Sequence, residues 1–235
     1  MIRVDRAELT RNEIIRVAAN SFLNNGYTTT TVASMAKAIK IGTGNITFYF
    51  PTKEHMLAEL VNILCRYQKK LMADEAKDGD SSVMAICLEL LTIASACEQD
   101  EVAKDFFLST YRSELCMDLI RKSDKARAKE VFKEYCSDWT DEQFTEAAVL
   151  VSGIEYATLL TTSEVASLEL RVGGALQTIL TIYNVSKEVR EQKIEKVLSM
   201  NYKALGLDTL KKFRKYVDQT TEQALLDLLK RKQIE

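Results

Sequence analysis

This chain of 235 residues contains one proline, Pro51, and only eight glycines. Those two residue types reverse a backbone at least cost, and a sheet-rich fold of this length would need many such reversals. Helices joined by short loops need few, so the scarcity of turn residues points to an all-α fold. With 46% hydrophobic and 28% charged residues, the composition suits one large or two small globular domains.

Apolar spacing supports the helical reading along the whole chain. A first helix is expected from Thr10, where Thr10 and Glu13 have capping-box spacing. Ile15, Ala18, Ala19 and Phe22 then recur at helical intervals, and Gly26 provides a stop. A second, short helix starts after Thr30 or Thr31 and buries Val32, Met35, Ala36 and Ile39. Lys40, Ile41 and Gly42 make a tight turn. A third helix follows, with Ile46 and Phe50 facing inward.

A fourth helix opens at Thr52 and runs to about Met72, with Met56, Leu57, Leu60, Val61 and Leu64 as its core face. The polar stretch Asp74–Ser82, with Gly79, reads as a loop. Further helices are expected over 82–97, 101–112, 114–137, 140–163, 167–184, 186–204 and 208–231. Thr140 and Gln143 form a second capping box, with Trp139 and Phe144 placed as a hydrophobic staple. Gly206 reads as a helix stop and Asp208 as the next N-cap.

Charge divides the chain unevenly. Residues 1–53 carry seven basic and three acidic side chains, whereas the remainder carries 25 and 31. A small basic head on an acidic body fits a nucleic-acid-binding domain attached to one with another task. The five cysteines at 65, 87, 97, 116 and 136 lie in apolar helical runs and read as reduced, buried thiols. With one histidine, His55, and no Cys-x-x-Cys, neither a metal site nor a cofactor is expected. No apolar run suggests a signal or a membrane span, so the expected location is cytoplasmic.

The head has the make-up of a helix-turn-helix. Such a unit lays a recognition helix in the major groove while a support helix crosses the backbone. Thr28, Thr30 and Thr31 cluster at the start of the second helix, where hydroxyls and amides serve phosphates. On the third helix Thr43, Asn45 and Thr47 alternate with buried Ile46. Gly44 removes a side chain where the helix would approach DNA. Asparagine can pair with an adenine edge, and a threonine methyl can meet a thymine methyl. Tyr49 and Lys53 at the far end suit phosphates. The same residue types also make an ordinary polar surface helix.

Residues 10–64 resemble the amino-terminal domain of the TetR (tetracycline-repressor) family of transcriptional regulators. Ile15, Ala18-Ala19, Phe22, Gly26-Tyr27, Thr30, Val32 and Met35-Ala36 carry part of the likeness. Its strongest part is Gly44-Asn45-Ile46-Thr47-Phe48-Tyr49-Phe50, followed by Thr52-Lys53-Glu54 and Leu57. Two positions of the turn depart from the pattern: Lys40 stands where glycine is frequent, and Gly42 where serine is. Either Lys40 takes a positive φ at a cost of about 1 kcal/mol, or the turn shifts and Gly42 takes the strained position. A basic residue is also common where Thr43 stands, so affinity leans on Lys37, Lys40, Lys53 and the arginines of the tail, Arg3 and Arg6.

The resemblance implies a head over residues 1–52 and a helical regulatory and dimerisation domain over 53–235. It implies a homodimeric repressor that binds double-stranded DNA at an inverted repeat and is released by a small-molecule effector. Thr28, Thr30, Thr31, Lys40, Thr43, Gly44, Asn45, Thr47, Phe48, Tyr49 and Lys53 are its expected DNA contacts. Gly153 and Gly173-Gly174-Ala175, inside apolar helices, would let two helices per subunit cross closely in a dimer bundle. The helix over 208–231 would extend that interface or cap the monomer. Phe106, Phe107, Tyr111, Met117, Tyr156 and several of the cysteines are possible pocket residues, but each reads better as ordinary core. An enzyme is disfavoured because no catalytic or phosphate-binding constellation is present. An interaction protein that kept the fold and lost DNA binding is the alternative.

Overall fold

The structure is a computed structural model that describes residues 6–77 and 82–233. All regular structure among the described residues is helical. The head holds α1 (Arg6–Asn25), α2 (Val32–Ala38) and α3 (Thr43–Tyr49). The body holds α4 (Lys53–Lys77), α5 (Ser82–Gln99), α6 (Glu101–Arg112), α7 (Glu114–Val131), α8 (Asp141–Leu160), α9 (Leu168–Ile182), α10 (Lys187–Leu198) and α11 (Tyr202–Gln233).

Most helix starts carry the side chain that chemistry asks of them. Thr31, Asp100, Ser113, Thr140, Ser167 and Ser186 each accept a backbone N–H of the following first turn. Thr140 and Gln143 form the expected reciprocal box, and Trp139 meets Phe144 edge-on at 5.1 Å. The cysteines are free, four of them buried. Burial pushes the Cys87 and Cys97 thiols up to about 12, so they stay protonated and act as small apolar side chains.

Several boundaries differ from the sequence expectation. The first helix is already formed at Arg6, so Thr10 lies inside it and does not mark its start. Helix α4 runs on to Lys77, through residues expected to form a loop. Ala-Asp-Glu-Ala-Lys is polar but consists largely of good helix formers, and polarity alone does not end a helix. Residues 78–81 of that expected loop, with Gly79, lie outside the described residues, as do Arg3 of the tail and the side chain of Arg6.

The last junction also moves. Helix α11 starts at Tyr202 and passes straight through Gly206 and Asp208. Gly206 is a crossing point, not a stop: a Cβ there would sit 2.8 Å from the Thr92 carbonyl oxygen and 3.0 Å from the Ala96 nitrogen of α5. Glycine permits backbone to approach backbone.

Helix α5 is the axis of the body and contacts α4, α6, α8, α9, α10 and α11. At 18 residues and mean hydropathy 1.3 it is long and apolar enough to span a membrane, contrary to the sequence reading. Its Val83, Met84, Cys87, Leu90, Leu91 and Ala94 are instead buried among neighbouring helices.

The interior also holds a charged network. Arg127 of α7 pairs with Glu89 of α5 and, at 2.8 Å, with Asp124. Gln68 donates to Glu89 at 2.6 Å, and the Tyr111 hydroxyl donates to Glu155 at 2.9 Å. Two carboxylates thus pair with one guanidinium, and the third, Glu155, lies within its field. Burial, reinforced by Asp124 and Glu89, pushes the Glu155 carboxyl up to about 8.

Candidate nucleic-acid interface

The head closes over a core of Ile14, Ile15, Ala18, Phe22, Met35, Ala36, Ile46 and Phe50, with Met56, Leu57 and Leu60 of α4 beneath it. Ile46 is the buried residue of α3, and it pins that short helix by one face. The opposite face is open: Thr43, Gly44, Asn45, Thr47 and Phe48 are all exposed. Phe48 is 79% exposed, an apolar ring that the chain's own packing does not cover. Gly44 has nothing within 4 Å of an added Cβ, so no internal contact demands a glycine there. The Thr47 hydroxyl donates to the Gly44 carbonyl oxygen at 3.2 Å, and the residue itself is exposed.

The turn between α2 and α3 resolves the question about Lys40. Lys40 has φ of 56°, whereas Gly42 has an ordinary extended φ of −74°. The Ile41 N–H reaches back to the Ala36 carbonyl at 3.0 Å, closing α2 with a left-handed residue. This geometry leaves the Lys40 side chain exposed beside α3.

The threonines before α2 separate into different roles. Thr31 is the N-cap, exposed, with its hydroxyl accepting the Ser34 N–H at 3.1 Å. Thr30 is 4% exposed, and its hydroxyl donates inward to the Gly26 carbonyl at 2.7 Å, so its side chain cannot meet a phosphate in this conformation. Thr28 is turned toward the body: its N–H donates to Asp105 of α6 at 2.8 Å, and its hydroxyl donates to the same carboxylate.

Lys53 has work inside the head. Its ammonium donates to the carbonyls of Tyr27 at 2.8 Å and Thr30 at 2.9 Å, and lies 4.1 Å from the centre of the Tyr27 ring. Desolvation lowers its pKa, with the Asp105 carboxylate opposing. One of three N–H donors remains for a phosphate. Tyr49 is half-buried, edge-on to Phe48 at 5.1 Å. His55 meets the Thr52 hydroxyl at 2.9 Å in the first turn of α4.

Sequence reasoning missed the residues that join head to body. Asp105 packs so closely on the α1–α2 turn that a Cβ on Gly26, whose φ is +95°, would sit 2.8 Å from it. Arg214 of α11 donates to the Leu23 carbonyl of α1 and lies 3.7 Å from Asp100. Neither residue belongs to a local pattern; only the fold brings them to α1.

Residues 14–60 match the family described as bacterial regulatory proteins, tetR family. This amino-terminal segment is thus a domain of the TetR type. The matched TetR segment begins in α1, includes α2 and α3, and ends within α4. The HTH-type transcriptional regulator QacR of Staphylococcus aureus (strain Mu50 / ATCC 700699) is 36% identical over 53 residues. That stretch is 23% of this chain and 28% of QacR, so the likeness spans little more than a quarter of that regulator. Solved structures with similarity over more of the chain include a gamma-butyrolactone receptor, an ArpA-like protein, at TM-score 0.44 and 19% identity. It is covered over 99% of its length by 88% of this chain. The TetR-family protein CprB of Streptomyces coelicolor, in complex with its operator sequence, has TM-score 0.42 and 21% identity, with 88% of this chain covering 99% of that one. Among the described residues no group of three or more His, Cys, Asp or Glu is placed to hold a metal ion.

Proposed function

We propose that this chain is a TetR-family regulator: a homodimeric, effector-responsive transcription factor, a repressor by family precedent, that reads an inverted repeat in double-stranded DNA. The observation that carries the reading is the outward face of α3. It presents Thr43, Gly44, Asn45, Thr47 and Phe48 together, anchored from behind by Ile46. In this reading Asn45, Thr47 and Phe48 meet base edges and thymine methyls. Thr31, Lys40, Tyr49 and the third N–H of Lys53 hold phosphates. Thr28 contributes through its position on the turn, and Thr30 by fixing that turn from inside.

The dimer reading has separate support. Helices α8 and α9 share an outward apolar face, with Val149, Leu150, Gly153, Ala157 and Leu160 on one and Leu170 and Gly174 on the other. An added Cβ at Gly153 or Gly174 meets nothing within 4 Å. A second copy laid on this face would bury apolar surface and use those glycines for a close crossing. Two heads held about 34 Å apart would meet successive major grooves. The effector would act by binding one head spacing better than another.

The test is selection of random duplexes by the purified protein at two salt concentrations. Enrichment of an inverted repeat is the expected result. Thr47→Ala should then change base preference while leaving the salt slope unchanged. Weak, salt-sensitive binding without enrichment would overturn the reading in favour of a TetR-fold protein that has lost sequence recognition.

A further inference from the structure

Between α4, α5, α6 and α11 lies a cavity of about 170 Å³ with an open mouth. Its walls are mostly apolar, with Leu64, Leu88, Ile93, Phe107, Leu210 and Phe213 prominent. Dry cavities of comparable size, about 150 Å³, take up small aromatic molecules. The charged groups on its walls are already paired. Glu89 is held by Arg127 and Gln68, and Asp208 meets Lys212 at 2.6 Å at the rim.

One polar group in the lining is left over. Tyr67 is 6% exposed, and its hydroxyl is buried without a hydrogen-bond partner. Its ring lies against Phe213 at 5.5 Å and Tyr216 at 5.1 Å. Burial pushes the phenol up to about 12, so it remains a donor at any physiological pH. An orphaned buried donor is costly, and an acceptor delivered into the cavity would relieve that cost.

Helix α11, which forms one wall of the cavity, also lies on the head. Phe213 faces the cavity, and the next residue, Arg214, donates to the Leu23 carbonyl of α1. Val217 is buried one turn on, beside Ala19 and Leu23. Arg214 keeps its Nε buried and unpaired, so this junction is under-satisfied in the present arrangement. A displacement of α11 at Phe213 is therefore a displacement at α1.

We propose that the cavity walled by α11 is the effector site, that it takes an uncharged, largely apolar molecule bearing a hydrogen-bond-accepting oxygen, and that α11 itself carries its occupancy to α1. This rests on the reading of the chain as effector-responsive, and it is tested without DNA. Acetophenone and ethylbenzene have similar shape and differ in the acceptor. Ligand-observed NMR titration of the full chain should show saturable binding of both. Acetophenone should bind about five-fold tighter, the ratio expected for one hydrogen bond of about 1 kcal/mol. Tyr67→Phe should remove that preference, and Thr209→Trp, at the partly exposed wall, should weaken both ligands. Absence of saturable binding, or a preference that survives Tyr67→Phe, overturns the site.

For the coupling, saturating acetophenone should change amide hydrogen exchange over residues 19–25 of α1, and Arg214→Met should abolish that change. Unaltered exchange in the parent protein overturns the role of α11. Benzoate, an anion of the same shape, should bind at least ten-fold more weakly than acetophenone; equal binding overturns the assignment of an uncharged ligand. A protein that passes these tests yet selects no duplex would place the failure in the DNA-binding reading alone.

Discussion

Lys53 shows how one side chain can build a candidate site with most of its hydrogen bonds turned inward. Its two bonds to the Tyr27 and Thr30 carbonyls join the start of α4 to the turn that precedes α2. Because those bonds come from a cation, Lys53→Met should lower stability by about 2 kcal/mol, read from the midpoint of urea denaturation at unchanged m-value. A loss below about 0.5 kcal/mol, the range of ordinary surface substitutions, would mean that the clamp contributes nothing. The four consecutive threonines from 28 to 31 teach the same lesson. Their chemistry was legible in the sequence, but their directions were not. The left-handed turn at Gly26 sends Thr30 inward, sets Thr28 against Asp105 and leaves Thr31 as the cap. One-dimensional spacing contains no such information for residues outside a regular helix.

Among elements, the short helices of the head were the most legible, because caps and an apolar stripe of four residues fix α2 almost unaided. The start of α11 was not legible. A glycine that ends a helix and a glycine that lets two helices touch look identical in sequence. Gly206→Ala separates the two cases. Helix propensity alone favours alanine by about 1 kcal/mol, yet its methyl would press on the α5 backbone at 2.8 Å. The expected net result is destabilisation by about 1–3 kcal/mol, seen as a lower thermal midpoint; a higher midpoint would refute the close crossing. Gly153→Leu is the converse case. Its added side chain enters open space in the monomer, so the fold should survive while a dimer built on α8 and α9 dissociates. Sedimentation equilibrium should show monomer with unchanged helicity, and an intact dimer would move the interface elsewhere.

At the scale of the whole molecule, the acidic interior gives stability an unusual dependence on pH. Glu155 faces Tyr111, Asp124, Glu89 and Arg127, and its carboxyl stays protonated in the folded chain up to about 8. Unfolding releases it to the ordinary range near 4.5. Between those values the folded state holds a proton that the unfolded state gives up, so stability falls as pH rises across that window. The thermal midpoint should therefore decline from pH 5 to pH 8.5, and Glu155→Gln should flatten the decline; an unchanged slope in that variant would exclude Glu155 as the source. Such measurements have a built-in reporter. Trp139 is the sole tryptophan, wedged between Phe144 at 5.1 Å and Tyr183 at 5.9 Å, where α7 gives way to α8. Its emission registers the melting of the body and is blind to the head. Circular dichroism sees both, so disagreement between the two signals is a direct optical readout of whether the head and the body unfold as one unit.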